Sequence, residues 1–189
     1  MSIVGKSILA LIGIVIIGTA AFVLWGTSAP VAVPIVDFDS CTAAGNPVLE
    51  SYPRACTTQT GETFVEEIGN ELEKQNLIKV TQPRPGSFIG SPLTIAGEAR
   101  GTWFFEASFP IILTDETGNV IGTGIAQAQG EWMTEDFVPF TATVSFDLGV
   151  KANTQGTLHF KKDNPSGLLQ YDDELLMPVR WNMPIDDNE

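Results

Sequence analysis

Apolar residues stand at every second position in several segments of the chain, and this pattern restricts the fold more than any other feature. Residues 141–146 read TATVSF, so that apolar side chains alternate with hydroxyl-bearing ones. A repeat of two is that of a β-strand with one buried face. The same alternation marks further segments: residues 93–99, 103–113, 120–129, 157–161 and 175–181. With a short strand near Phe88, the pattern predicts a chain built from about seven strands.

The segments between the predicted strands carry no helical repeat, which argues against a parallel sheet, because parallel strands need crossover helices. About seven short strands at this spacing are typical of an immunoglobulin-like β-sandwich. We therefore predict an all-β fold with such a sandwich over residues 81–182, followed by an acidic tail over residues 183–189. No cysteine pair lies inside the predicted sandwich, so it differs from antibody domains, which join their two sheets with a disulfide.

A long apolar run precedes the sandwich near the N-terminus. Residues 8–25, ILALIGIVIIGTAAFVLW, contain no charged side chain. With Ser7 the run is long enough to cross a hydrocarbon core as a helix, and it lacks the polar stripe that a buried core helix of this length would show. We predict a transmembrane anchor within residues 1–28 that contacts the lipid bilayer through residues 7–25. The alternative is a signal peptide that is cleaved near residues 26–28.

Basic residues near the apolar run indicate its orientation. Lys6 lies before it, and the next basic residue along the chain is Arg54. Because positive charge stays on the cytoplasmic side, we expect a single-pass protein of the cell membrane with a cytoplasmic N-terminus and an extracytoplasmic C-terminal domain. Residues 29–40 contain two prolines and no helical repeat, which predicts an extended stalk between membrane and domain.

The chain has two cysteines, Cys41 and Cys56. Outside the cytoplasm such a pair predicts a disulfide; two free thiols are the alternative. Residues 59–61 have the composition of a turn between two short strands, and apolar residues within residues 65–75 recur at helical spacing. Residues 41–80 are therefore predicted to form a disulfide hairpin followed by a short helix.

The longest family resemblance lies in residues 91–124, SPLTIAGEARGTWFFEASFPIILTDETGNVIGTG. This stretch resembles the immunoglobulin-like domain of bacterial spore germination proteins, and so do residues 130–146, 156–167 and 175–181. The resemblance implies an extracytoplasmic sandwich in a protein of the bacterial envelope. Residues 45–67 resemble a short cysteine-hairpin module that is often placed before such sandwiches.

The charge and the residue set of the chain limit its partners and its chemistry. A net charge of −13 repels phosphate backbones, so we expect no nucleic-acid partner. His159 is the only histidine and falls on the polar face of a predicted strand. The sequence contains no Gly-x-Ser-x-Gly elbow and no glycine-rich phosphate loop. We therefore expect no catalytic, cofactor-binding or metal-ligating residues, and a protein that is not an enzyme.

One acidic and aromatic cluster, residues 131–137, is the candidate binding surface. Its candidate residues are Glu131, Trp132, Glu135 and Asp136. Paired carboxylates beside a ring can bind or hydrolyse glycans; alternatively, the acids accept hydrogen bonds from backbone amides at a strand crossing while Trp132 packs inside. The predicted function is a binding or structural module for an unknown envelope protein or cell-wall partner, related to germination through the family. The alternative is a protein that acts on or binds cell-wall glycan through this loop.

Overall fold

The computed structural model describes residues 34–147 and 155–181. These residues belong to one compact unit of the chain. In this described part no helix is both long and apolar enough to traverse a bilayer. The predicted anchor within residues 1–28 and the predicted acidic tail over residues 183–189 lie outside the described residues.

Short strands dominate the described part of the chain. The strands are β1 (Val48–Leu49), β2 (Ala55–Thr57), β3 (Thr63–Val65), β4 (Ile78–Gln82), β5 (Leu93–Arg100), β6 (Ser108–Asp115), β7 (Val120–Ala128), β8 (Phe137–Phe146), β9 (Gln155–Lys161) and β10 (Glu174–Arg180). The helices are α1 (Phe38–Ala43) and α2 (Glu71–Lys74), with single 3₁₀ turns at Gly101–Trp103 and Leu169–Tyr171.

Seven antiparallel strands form one hydrogen-bonded sheet in the order β10-β9-β6-β7-β8-β5-β4. In this order β4, β5, β8 and β7 occupy the places of strands A, B, E and D of an immunoglobulin sandwich, and β6, β9 and β10 those of C, F and G. Strand β7 pairs with both β6 and β8, so it joins the two halves. The predicted all-β, immunoglobulin-like fold is confirmed.

The core forms because each of these strands turns one face inward. In β8 every second residue is buried, from Val138 to Phe146, which is the alternation that the sequence shows. The rings of Phe109 and Phe140 meet edge to face with centroids 4.9 Å apart. Burying an apolar side chain of this size stabilises the fold by about 1.5–3 kcal/mol. The largest fully buried side chains are Trp103, Trp181, Phe109, Phe140 and Phe160.

The outer edge of β10 is covered by two segments from earlier in the chain. The Asn70 side chain accepts a hydrogen bond from the Leu176 N–H (2.7 Å) and donates to the Glu174 carbonyl (3.0 Å). Further along, the Ile89 N–H donates to the Arg180 carbonyl (2.7 Å). The short strand predicted near Phe88 is thus a parallel bridge to Arg180. Covering the edge removes the free backbone groups that promote aggregation of sheets.

Cys41 and Cys56 form the predicted disulfide, with Cα atoms 6.1 Å apart. Both cysteines are fully buried and pack with Phe38 in a small core of their own. Strands β2 and β3 form the predicted hairpin, and Gly61 takes a positive φ of 86° in its turn, a conformation that glycine adopts without steric cost. We call residues 35–66 the disulfide module.

Two predictions for this region are wrong in extent. Residues 38–40 are not extended stalk but the start of α1, because Asp37 caps the helix by accepting from the Ser40 N–H at 2.7 Å. The helix predicted over residues 65–75 is confined to Glu71–Lys74. Val65 instead lies in β3 and pairs with Ala55 of β2, and Asn70 is hydrogen-bonded to β10. Contacts with other strands therefore override the local helical spacing.

The strand predicted from residue 103 begins only at Ser108. Glu106 and Ala107 have φ values of 50° and 60°, which lie in the left-handed region and reverse the chain before β6. Phe105, predicted on the inner face, is consequently 41% exposed. The sheet also starts earlier than predicted, since β4 begins at Ile78 rather than after residue 81.

Candidate functional site

Three loops lie at one end of the sheet because of its strand order. In the β5–β8 pair Arg100 faces Phe137, and in the β9–β10 pair Lys161 faces Glu174. These positions are the ends of β5 and β9 and the starts of β8 and β10, so the connections between them lie together. We call this the loop end; its loops are β5–β6 (residues 101–107), β7–β8 (residues 129–136) and β9–β10 (residues 162–173).

The β5–β6 and β7–β8 loops are in direct backbone contact at Gly101. The Gly101 N–H donates to the Asp136 carbonyl (3.1 Å). A Cβ atom on Gly101 would lie 2.0 Å from the Thr134 carbonyl oxygen and 2.2 Å from that of Trp132. Only glycine allows two main chains to approach this closely, so the sequence of the β5–β6 loop positions the β7–β8 loop.

Arg100 ties the same two loops to the segment before β4. Its Nε donates to the Asn76 carbonyl (3.0 Å) and its Nη1 to the Glu135 carbonyl (3.1 Å). The guanidinium lies 4.1 Å above the Phe137 ring, and the Lys79 amino group lies 4.0 Å from that ring. These are cation–π contacts, and they hold the base of the loop end in one arrangement.

The structure places the predicted binding residues Glu131, Trp132, Glu135 and Asp136 in this β7–β8 loop. The Glu131 carboxylate accepts from the Met133 N–H at 3.0 Å, and Trp132 is half-buried against the main core. Glu135 and Asp136 accept through their main-chain carbonyls, while their side chains are exposed. These contacts favour the interpretation in which the acids and Trp132 stabilise their own loop. They give less support to a site that binds or hydrolyses glycan.

The β9–β10 loop is organised around the Asn164 side chain. Its Nδ2 donates to the Leu168 carbonyl (2.9 Å) and to the Asp172 carboxylate (2.7 Å). Its Oδ1 accepts from the Ser166 hydroxyl (2.5 Å), which in turn accepts from the Leu168 N–H at 3.2 Å. Its carbonyl accepts from the Gly167 N–H at 3.2 Å. The loop satisfies these polar groups internally, which restricts its conformations.

Exposed apolar side chains extend from all three loops. Leu169 is 84% exposed, and Leu168 and Tyr171 are about half exposed in the same loop. Met133 of the β7–β8 loop is 74% exposed. The sequence-based prediction of a binding surface did not include the β9–β10 residues. The signal was present in LLQY, an apolar group inside this polar loop without strand alternation.

The loop end is strongly acidic. Its loops carry seven carboxylates and a single basic side chain, Lys162. The Asp173 carboxylate is paired with Lys74 at 2.5 Å. Surface carboxylates without a basic partner make the local electrostatic potential more negative, and they attract cations. The carboxylates are Glu106, Glu131, Glu135, Asp136, Asp163, Asp172 and Asp173.

His159 lies on the outer face of the sheet, as the alternation predicts. Its Nε2 is 3.1 Å from the Thr114 hydroxyl and its Nδ1 is 3.1 Å from the Glu174 carboxylate. The order hydroxyl, imidazole, carboxylate resembles that of an activated nucleophile. The three side chains are diagonal neighbours on β6, β9 and β10, however, and such cross-strand contacts are ordinary stabilisation of a sheet.

A cleft of about 380 Å³ lies between the disulfide module and the sheet. Its charged side chains have partners: Asp39 pairs with Arg180 at 2.7 Å, and Glu67 accepts from the Gly69 N–H at 2.8 Å. Hydrogen bonds from the Ser40 side chain and backbone hold the pKa of Asp37 below its usual value. The cleft is thus a polar junction. Within residues 34–147 and 155–181 no group of three or more potential ligands is arranged for a metal ion.

The Glu66 carboxylate of the module has the clearest electrostatic partner. It accepts from the Arg54 guanidinium, with an N–O distance of 2.5 Å. The Glu66 side chain is mostly buried, whereas the Arg54 side chain is partly exposed. The hydrogen bond from Arg54 lowers the pKa of Glu66 from its ordinary value of 4.5, so the folded module favours the ionised carboxylate.

The comparison with protein families agrees with the fold. Residues 77–167 match the family described as the immunoglobulin-like domain of bacterial spore germination. The matched stretch contains β4 to β9 and the whole of the β5–β6 and β7–β8 loops. No curated protein and no solved structure matches the chain. Residues 77–167 are therefore similar to an immunoglobulin-like domain of bacterial spore germination.

Proposed function

We propose that this protein is a binding module of the bacterial envelope, anchored in the cell membrane by its N-terminal run, with a germination-related role that follows from the family of its domain. The observation that carries the proposal is the loop end, where three loops fixed by a rigid sheet present apolar side chains to solvent. Binding residues of immunoglobulin-like domains commonly lie on such clustered loops. Exposed apolar side chains that cluster at one end of a domain are a feature of interaction sites.

The course of the chain supports this arrangement. Asp39 of the disulfide module contacts Arg180 at the end of β10, whereas the loop end holds the start of β10 at Glu174. The described chain therefore enters at the side of the domain that is remote from the loop end.

The disulfide supports a location outside the cytoplasm. Disulfides persist in oxidising compartments and are rare where thiols are kept reduced. The Cys41–Cys56 bond is fully buried in a small core, so it has a structural role in the module. An extracytoplasmic domain that follows a membrane anchor accounts for both the disulfide and the apolar run of residues 8–25.

Membrane attachment is tested by fractionating cells that express the full chain. We expect the protein to stay with the membranes after alkaline extraction, and a protease added to spheroplasts to digest the domain. Release of the full-length protein by alkali, or protection of the domain from the protease, would contradict the proposal. A variant that lacks residues 1–33 is the control for attachment.

Binding is tested with a photoreactive amino acid placed at single positions of the full chain in cells. Met133 and Leu169 are suitable positions because both are highly exposed at the loop end. Thr94 is the matched control, since it is exposed on the outer face of β5 away from the loops. We expect a discrete crosslinked product at Met133 and Leu169 only. Equal products at all three positions, or none, would count against the loop end as a binding surface.

A further inference from the structure

We infer that the β9–β10 loop recognises a basic protein segment that carries apolar side chains; this inference rests on the proposed binding function. Leu168, Leu169 and Tyr171 project from this loop with exposed fractions of 53%, 84% and 52%. Leaving such side chains in water forgoes about 25 cal/mol for each Å² that burial would remove.

The loop is already ordered in the absence of a partner. The Tyr171 N–H donates to the Leu168 carbonyl (2.9 Å) and the Asp172 N–H to the Leu169 carbonyl (3.1 Å), closing a 3₁₀ turn. The Asn164 side chain braces the same turn from inside. Since little conformational freedom remains to be lost, a partner gains most of the free energy of burying the apolar side chains. Leucine and tyrosine on such a turn are suited to insert into or stack on a partner.

The base of the loop is tied to the rest of the loop end. The Asp163 N–H donates to the Trp103 carbonyl (3.1 Å), and the Lys162 N–H donates to the Asp173 carbonyl (2.8 Å). Trp103 itself is 1% exposed and belongs to the main core. The apolar tip is therefore held at a fixed position above the core, which is what a recognition surface requires.

Charge identifies the partner's chemistry. The three loops carry seven carboxylates against one lysine on a chain of net charge −13. A second copy of this chain, an anionic lipid surface or a nucleic acid would bring like charge to this end, which costs free energy. A basic protein segment brings the opposite charge. Its lysine and arginine stems can also cover the leucines, and a guanidinium can stack on Tyr171.

The experiment selects binders from a displayed library of random peptides with the immobilised full chain. We expect the selected peptides to combine lysine or arginine with leucine or aromatic residues. Their affinity is expected to fall as NaCl rises from about 0.05 to about 0.5 M, because salt screens exposed charges. Leu169→Ser is expected to lower the affinity by about tenfold or more, as for an interface hot spot. Ile125→Ser, which changes another exposed apolar residue on β7, is the matched control and is expected to leave affinity unchanged.

Each contrary result overturns the inference. Selected peptides that lack basic residues, a library that yields no binder, or binding that is indifferent to Leu169→Ser would each do so. Unfolding curves of the Leu169→Ser variant that match those of the wild-type chain verify that the substitution acts on binding alone. If crosslinks form at the loop end in cells while these peptide results fail, the proposed binding function stands and only the partner chemistry is wrong. If no crosslinks form at the loop end, the proposed function itself is wrong.

Discussion

Replacement of Gly101 by alanine should strongly destabilise the fold. The new Cβ would lie 2.0 and 2.2 Å from two carbonyl oxygens of the β7–β8 loop, whereas real Cβ atoms essentially never approach closer than 3.0 Å. Each oxygen must therefore retreat by about 1 Å, and overpacking of this kind costs about 1–3 kcal/mol. Because both obstacles are main chain, we expect the upper end of that range.

Displacement of the β7–β8 loop by the new methyl group should also weaken the hydrogen bond from the Gly101 N–H to the Asp136 carbonyl (3.1 Å). A loss of about 3 kcal/mol in the free energy of unfolding corresponds to a fall of about 6–12 °C in Tm for a domain of this size. Urea unfolding of the full chain, followed by tryptophan fluorescence, measures it, since Trp103 and Trp181 are each 1% exposed. Gly90→Ala is the matched control, because a Cβ on Gly90 meets nothing within 4 Å.

We expect Gly90→Ala to stay within about 1 kcal/mol of the wild-type chain, since a glycine-to-alanine change without strain acts mainly on the unfolded state. Equal stabilities of Gly101→Ala and Gly90→Ala would refute the reasoning. That outcome would mean that the β5–β6 and β7–β8 loops are not in backbone contact, and the loop end would no longer be a single surface.

Three further predictions concern the module and the core. Replacing Cys41 and Cys56 together by serine should lower the free energy of unfolding by about 3 kcal/mol, the value for a closed loop of this size; reductant should destabilise the wild-type chain equally and leave the variant unaffected. Because the pKa of Glu66 is lowered in the folded state from 4.5, its pairing with Arg54 stabilises the protein above that pH and is lost as the pH falls through the folded value. Glu66→Gln should therefore flatten the decline in stability as the pH falls below about 4.5, and an unchanged pH profile would contradict the assignment. Phe140→Ala should cost about 3–5 kcal/mol in urea unfolding, since the ring is 1% exposed; a cost below about 1 kcal/mol would show that the core is not packed around it.

The sequence alone predicted the elements whose burial follows a local repeat. The alternation in residues 141–146 reports directly which side of β8 faces the core, and all of its predicted inward residues are buried. The composition of the turn at Gly61 and the presence of two cysteines likewise predicted the hairpin and its disulfide. These features depend on neighbours along the chain, so they are visible without the fold.

The secondary-structure predictions from sequence are wrong where contacts with distant segments override the local pattern. Residues 65–75 have helical spacing but do not form one helix. Val65 of β3 pairs with β2, and Asn70 bonds to β10, more than a hundred positions away. The reversal at Glu106 and Ala107 interrupts a perfect alternation for a comparable reason, since the chain must turn there for Ser108 to pair with Gln127.

Only the tertiary structure decided which residues share the loop end. Residues 101–107, 129–136 and 162–173 are far apart in the chain, and their proximity follows from the strand order β10-β9-β6-β7-β8-β5-β4. The alternation that predicts each strand is the same for any order of strands. A local repeat records how each segment divides its side chains between core and solvent, whereas the order in which strands pair depends on packing and hydrogen bonds between segments distant in sequence.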